Sequence, residues 1–174
     1  MFEWEIWVGD KEKCKKAFER FSRIGFIKLE EEKENLSASH IKKADYNLDF
    51  INNLLEQKRF YDWIIIGCYY AIYHASLALL AIKGYSSKRH NTTLCGLIYL
   101  YYKNEAEREG LNKEDINLVA ESSLEKEEVS YFVEAKNKRE LASYGISGEF
   151  NKDEAEKLKE KTILFINKVK RILE

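Results

Sequence analysis

The sequence predicts an all-α protein, an antiparallel up-and-down helical bundle with a small N-terminal extension of strand and helix character. Three observations carry that reading. The chain of 174 residues has no proline, and its charge is carried mostly by Lys and Glu, a composition that favours helices. From Leu36 onward, apolar residues recur at three- and four-residue steps, the spacing of one helix face. Gly84, Gly110, Gly145 and Gly148 fall where those periodic runs stop.

Ile41, Ala44, Leu48, Ile51 and Leu55 define a helix near 38–57, with Ser37 or Ser39 available as its N-cap. A second helix, near 60–83, ends at Gly84. A third begins after Ser86 or Ser87 and carries Leu94, Leu97, Ile98 and Tyr101 on one side, until a polar segment with Gly110 breaks it. Short helical turns follow at 113–123, then a helix near 125–144 closed by Gly145 and Gly148. The last helix has an Asn/Glu capping box in Asn151 and Glu154, and its apolar stripe runs through Ala155, Leu158, Thr162, Phe165, Val169 and Ile172.

Residues 1–35 read differently and are assigned to an N-terminal extension, with residues 36–174 as the bundle domain. Phe2, Trp4, Ile6 and Val8 alternate with Glu3, Glu5 and Trp7, which is strand spacing. Asp10 is placed to cap a helix with Cys14, Ala17, Phe18 and Phe21 on one face, and "GFIKLEEE" is read as a second strand. "KLEEEKENL" is a solvated face or linker.

The formal net charge of −1 gives no global field for nucleic acid or anionic lipid, so any polyanion site must be a local patch. Cys14, Cys68 and Cys95 are widely spaced, with no CxxC pair, and are read as structural thiols in a reducing cytoplasm, with no metal and no cofactor. "WIIIGCYYAIYHASLALLAI", residues 63–82, holds no Asp, Glu, Lys or Arg and as a helix spans roughly 30 Å, enough to cross a bilayer. Its tyrosines and histidine lie at its centre and its flanks lack a one-sided basic excess, so it is read as the buried member of the bundle, with no membrane contact. Gly67, Ala71, His74, Ala75, Ala78 and Ile82 share one face of it, a surface small enough for a neighbouring helix or a second copy of the same helix to lie close. His74 in that stripe is either a core histidine satisfied by a hydrogen bond or a group for catalysis or ligand binding.

"SHIKKADYNLDFINNLL", "YYAIYHASLALLAIKGYSSKRH", "EAKNKRELASYG" and "KDEAEKLKEKTILFINKVKRIL" together resemble, in order, the helices of the HEPN family, the higher eukaryotes and prokaryotes nucleotide-binding domain. The resemblance covers about residues 38–173. It implies a homodimer, often encoded with a small nucleotidyltransferase as a toxin–antitoxin pair, and in active members a metal-independent ribonuclease whose signature is Arg, four to six residues, then His in the dimer cleft. Here the Arg is Arg139, and Tyr144 stands where the His would be. The resemblance thus implies a branch without the motif histidine, and it makes Tyr144, near the motif, a candidate for modification by a nucleotidyltransferase partner.

Metal-free RNA cleavage needs a base for the 2′-hydroxyl, an acid for the leaving oxygen and a cation for the phosphorane. Arg139 suits the last role, or else pairs with Glu140 or Glu134 and holds the bundle together. Tyrosine, with an unperturbed pKa of about 10, is a poor base at neutral pH but a usable hydrogen-bond donor or acid. His74 and His90 are the groups read as replacements for the missing base. His90 follows Lys88 and Arg89 at a helix start, an arrangement that suits a phosphate or simply a solvated helix end. The catalytic candidates are therefore Arg139, Tyr144 and His74, and the phosphate or nucleotide candidates Arg139, His90, Arg89 and Lys88. Two functions follow: a homodimeric toxin–antitoxin-type protein that binds RNA or nucleotide with weak or lost ribonuclease activity, or a non-enzymatic module that binds a nucleotide or partner protein in its dimer cleft.

Overall fold

A computed structural model describes residues 3–58, 60–102, 110–122 and 152–174 of the chain. Among them the order of elements is α1 (Glu3–Gly9), α2 (Lys11–Arg23), β1 (Ile27–Leu29), α3 (Lys33–Glu56), α4 (Tyr61–Ile82), β2 (Tyr85–Ser87), α5 (His90–Tyr101), α6 (Lys113–Glu121) and α7 (Lys152–Leu173). The all-α bundle expected from the helical periodicity is what forms. The helix expected near 125–144, and Asn151 of the last capping box, lie outside the described residues.

The apolar run folds as α4 and is the axis of the bundle. Among the described residues α4 is the one helix long and apolar enough to cross a membrane, and 78% of its most apolar window is buried inside the protein. Its neighbours are α3, α5 and α7. Against α7 it sets Cys68 near Thr162, and α7 turns Ala155, Thr162, Phe165, Ile166 and Val169 inward, close to the stripe its sequence predicts. Against α5 it meets Gly96, where a Cβ would stand 2.8 Å from Leu80 Cδ2, and the Tyr101 hydroxyl donates to the Leu79 carbonyl at 2.7 Å. Its end at Gly84 is as expected, that glycine holding φ +80.

The start of α3 differs from expectation. The helix begins at Lys33, so part of "KLEEEKENL" is helical and neither serine is a cap. Ser37 is buried one turn in, its hydroxyl donating to the Ala78 carbonyl of α4 at 3.0 Å, and Ser39 donates back to the Asn35 carbonyl. By contrast, α6 begins with a full capping box: Asn112 Oδ1 accepts from the Asp115 amide at 2.9 Å, and the Asp115 carboxylate accepts from the Asn112 amide at 2.8 Å.

The N-terminal segment needs a correction. Residues 3–9 are a helix, not a strand. Strand spacing would put Trp7 on the outer face with the glutamates, yet Trp7 is the buried residue, and Trp4 and Val8 pack beside it at helical spacing. Asp10 caps α2 as expected, its carboxylate accepting from the Lys13 amide at 3.0 Å, and Cys14, Ala17, Phe18 and Phe21 are buried. β1 forms within "GFIKLEEE", but its partner is β2, far along the chain, in antiparallel register Ile27–Ser87, Lys28–Ser86 and Leu29–Tyr85. Trp7, Cys14, Phe18, Phe21 and Ile27 thereby join one buried cluster with Ala71, Leu79, Leu97 and Phe165 of the bundle.

A candidate site in a chain of imidazole and phenol rings

The small-residue face of α4 is occupied by α3 of the same chain. A Cβ on Gly67 would stand 2.8 Å from Ile51 Cγ1, and Ala71, Ala75 and Ala78 are fully buried. The idea that a second copy of α4 lies along this face is therefore overturned: α3 already fills it.

Because α3 and α4 run antiparallel, residue 40 arrives opposite residue 74. His40 Nδ1 lies 3.1 Å from His74 Nδ1. The ring centroids are 5.3 Å apart and the planes 29° apart. That centroid separation is close to the N···N contact plus a ring radius at each side, so the rings meet edge to edge, in the geometry of an in-plane N–H···N hydrogen bond. Burial pushes the His74 pKa down to about 4, with smaller contributions from His40 and Lys43, and burial lowers His40 as well. Both rings are thus neutral at neutral pH, and one Nδ1–H donates to the other Nδ1 lone pair.

On the neighbouring face of α4, Tyr73 lies tilted against His74, centroids 6.1 Å apart, and stacks on His90 at 6.1 Å with planes 27° apart. The three histidines of the chain are therefore linked through one tyrosine in a run of rings from α3 across α4 to α5. Burial raises the Tyr73 phenol, so this tyrosine stays protonated, and burial lowers His90.

The basic group at residues 88–90 is not brought together as one surface. Lys88 and Arg89 are exposed, and the Arg89 guanidinium lies 3.6 Å over the Phe26 ring. His90 packs on Tyr73 with its Nε2 enclosed and without a hydrogen-bond partner among the described residues. The first turn of α5 is also partly taken: the Thr92 and Thr93 hydroxyls donate to the Arg89 carbonyl, and Asn91 donates to the Glu3 carboxylate at 3.1 Å. A carboxylate held at that helix start opposes a phosphate there.

Arg139 and Tyr144 lie outside the described residues. Among the described residues no three His, Cys, Asp or Glu side chains are grouped to hold a metal ion. The residue that sequence reasoning missed is His40. Its sequence neighbours Ser39, Lys42 and Lys43 mark a solvated helix face, and only the antiparallel pairing of α3 with α4 sets it against His74.

Compared with known proteins, residues 37–172 match the family model described as HEPN domain. No curated protein and no solved structure matches the chain.

Proposed function

The chain belongs to the HEPN family, and from that premise we propose that it is a cytoplasmic, toxin–antitoxin-type protein acting as a homodimer that binds RNA or a nucleotide. Its partner on this reading is a minimal nucleotidyltransferase, and its metal-independent ribonuclease activity is weak or lost. The family is nucleotide- and RNA-related. The observation that carries the reading is the family match itself, which runs through the segment holding Arg139 and Tyr144.

Arg139 is the phosphate contact in this proposal, because a planar guanidinium presents paired donors to phosphate oxygens and keeps its charge at every working pH. Tyr144 contributes a hydrogen bond or a proton, not a base. Lys88 and Arg89 add exposed positive charge, without His90 as a third member. The reading needs no metal or cofactor.

The second reading, a non-enzymatic module that binds a nucleotide or partner protein in its dimer cleft, is favoured by one specific observation: tyrosine in place of the motif histidine. Incubation of a labelled RNA pool with purified protein in excess chelator separates the two, with Arg139→Ala and Tyr144→Phe in parallel and sedimentation to establish the oligomeric state. Cleavage that disappears in Arg139→Ala supports the ribonuclease. RNA or nucleotide binding without cleavage, by a folded dimer, supports the binding module.

A further inference from the structure

Cys14 and Cys95 stand 81 residues apart in the chain and face one another where α2 packs on α5. Cys14 Sγ donates to the Cys95 carbonyl at 3.7 Å, and Cys95 Sγ donates to the Cys14 carbonyl at 3.9 Å. Contacts that run both ways lay each side chain over the other's backbone, so the two residues point toward each other and not past. Their backbones are then no further apart than one thiol reaches, which is the span a disulfide bridges. The side chains also act on each other directly. When one sulfur loses its proton the other's S–H donates to it, which lowers the Cys14 thiol from its ordinary value and raises Cys95. Cys68, the third cysteine, lies elsewhere, on α4 beside Thr162 of α7, where burial pushes its thiol up to about 11.

Both thiols of the pair are buried. Their cover is α1, which packs on both helices that carry them. Its rim is tied down by exposed polar contacts: the Glu3 carboxylate lies 3.7 Å from the Arg20 guanidinium of α2 and accepts from Asn91 of α5 at 3.1 Å. Exposed pairs of this kind hold weakly, so α1 is the side from which a small reagent enters.

We propose that Cys14 and Cys95 are the two halves of a reversible disulfide that staples α2 to α5, formed by exchange with a small-molecule disulfide such as oxidised glutathione. The Cys14 thiolate attacks one glutathione sulfur, a mixed disulfide forms as the glutathione S–S bond breaks, and the departing thiolate takes up a proton. Cys95 then gives up its proton and attacks the Cys14 sulfur, and the second glutathione leaves as a thiol. Two protein thiols are oxidised and one glutathione disulfide is reduced to two thiols. A reducing cytoplasm keeps the pair as thiols, and the staple closes as the small disulfide accumulates. Cys14 lies before the residues that match the family and Cys95 within them, so the bridge ties the N-terminal layer covalently to the bundle.

The test uses the full chain, purified in the reduced state, with oxidised glutathione applied to the native protein and, separately, during refolding from urea. Expected from either route is a product lighter by two hydrogen atoms, whose proteolysis recovers the Cys14 and Cys95 peptides joined while Cys68 stays open to alkylation once the protein is unfolded. Its thermal midpoint should exceed that of the reduced protein by about 5–15 °C, because closing so long a loop restricts the unfolded chain, and dithiothreitol should reverse the rise. Cys14→Ala and Cys95→Ala should each abolish the mass loss and the thermal shift, whereas Cys68→Ala should leave both. Cys14 and Cys95 that remain alkylatable after both routes overturn the proposal, as does a bridge through Cys68. A Cys14–Cys95 bridge that fails to raise the thermal midpoint also overturns it, since such a bridge forms only at the expense of native packing.

Discussion

The seam between α3 and α4 and the layer formed by α1, α2, the β1–β2 pair and α5 bury similar material by opposite means. In the seam, Gly67, Ala71, Ala75 and Ala78 let two backbones approach, and the trapped polar groups satisfy one another, Ser37 on the Ala78 carbonyl and His40 on His74. The N-terminal layer fills space with rings: Phe18 stacks on Tyr99 at 4.5 Å and meets Tyr85 edge-on at 5.2 Å, and Trp7 meets Phe21 edge-on at 6.1 Å. The difference teaches where each region is vulnerable. A ring layer suffers from truncation, whereas a small-residue seam suffers from enlargement.

Phe18→Ala should therefore be the most damaging single change, costing about 3–5 kcal/mol in urea unfolding. A loss below about 1 kcal/mol would remove the distinction between the two regions. Gly67→Ala should destabilise by about 1–3 kcal/mol despite the better helix propensity of alanine, because its Cβ meets Ile51 Cγ1 at 2.8 Å. Combined with Ile51→Ala it should cost less than the two singles added, which a double-mutant cycle reads directly.

Acid provides the next comparison. The folded His74 pKa of about 4 lies below the ordinary histidine value of 6.5, so on acidification the unfolded chain takes up this proton first. Its contribution to stability is whole above pH 6.5, declines as the pH falls toward 4, and is level below that. His40, also lowered, acts with the same sign. A plot of thermal midpoint against pH should be flatter through this window in His74→Gln than in the wild type.

Tyr101→Phe removes only the hydroxyl bound to the Leu79 carbonyl and should cost about 0.5–1.5 kcal/mol in the same unfolding assay. The half-exposed Lys170–Asp45 ion pair, at 2.7 Å, should matter least. Lys170→Met should change stability by less than about 1 kcal/mol, with the difference from wild type shrinking further in high salt.

The bundle was legible because long periodic runs admit one reading. Ala155 to Ile172 and the charge-free run of α4 specify both helix and inner face. Short elements were not. Over seven residues, α1 fits an alternating pattern through Trp4, Ile6 and Val8 as well as a helical one through Trp4, Trp7 and Val8, and only the pocket beside Phe21 decides between them. β2 has three residues and exists because β1 lies beside it, which no local signal announces. His74 was visible as an ionisable group in an apolar run, but its partner was not, since His40 stands on a helix face that reads as solvated. His90 looked like a surface cation for the same reason, whereas its ring turns in to Tyr73.

The match to the family begins at residue 37, whereas the buried cluster begins with Trp7. A fragment cut at the boundary of the match would start inside α3, strip β2 of its partner strand β1 and bare the surfaces of α4 and α5 that Phe18, Phe21 and Ile27 cover. An unpaired strand edge beside exposed aromatic and aliphatic side chains is a template for self-association. The shortest version of this protein worth expressing is therefore set by where its rings pack, and it includes some thirty residues that the family description omits.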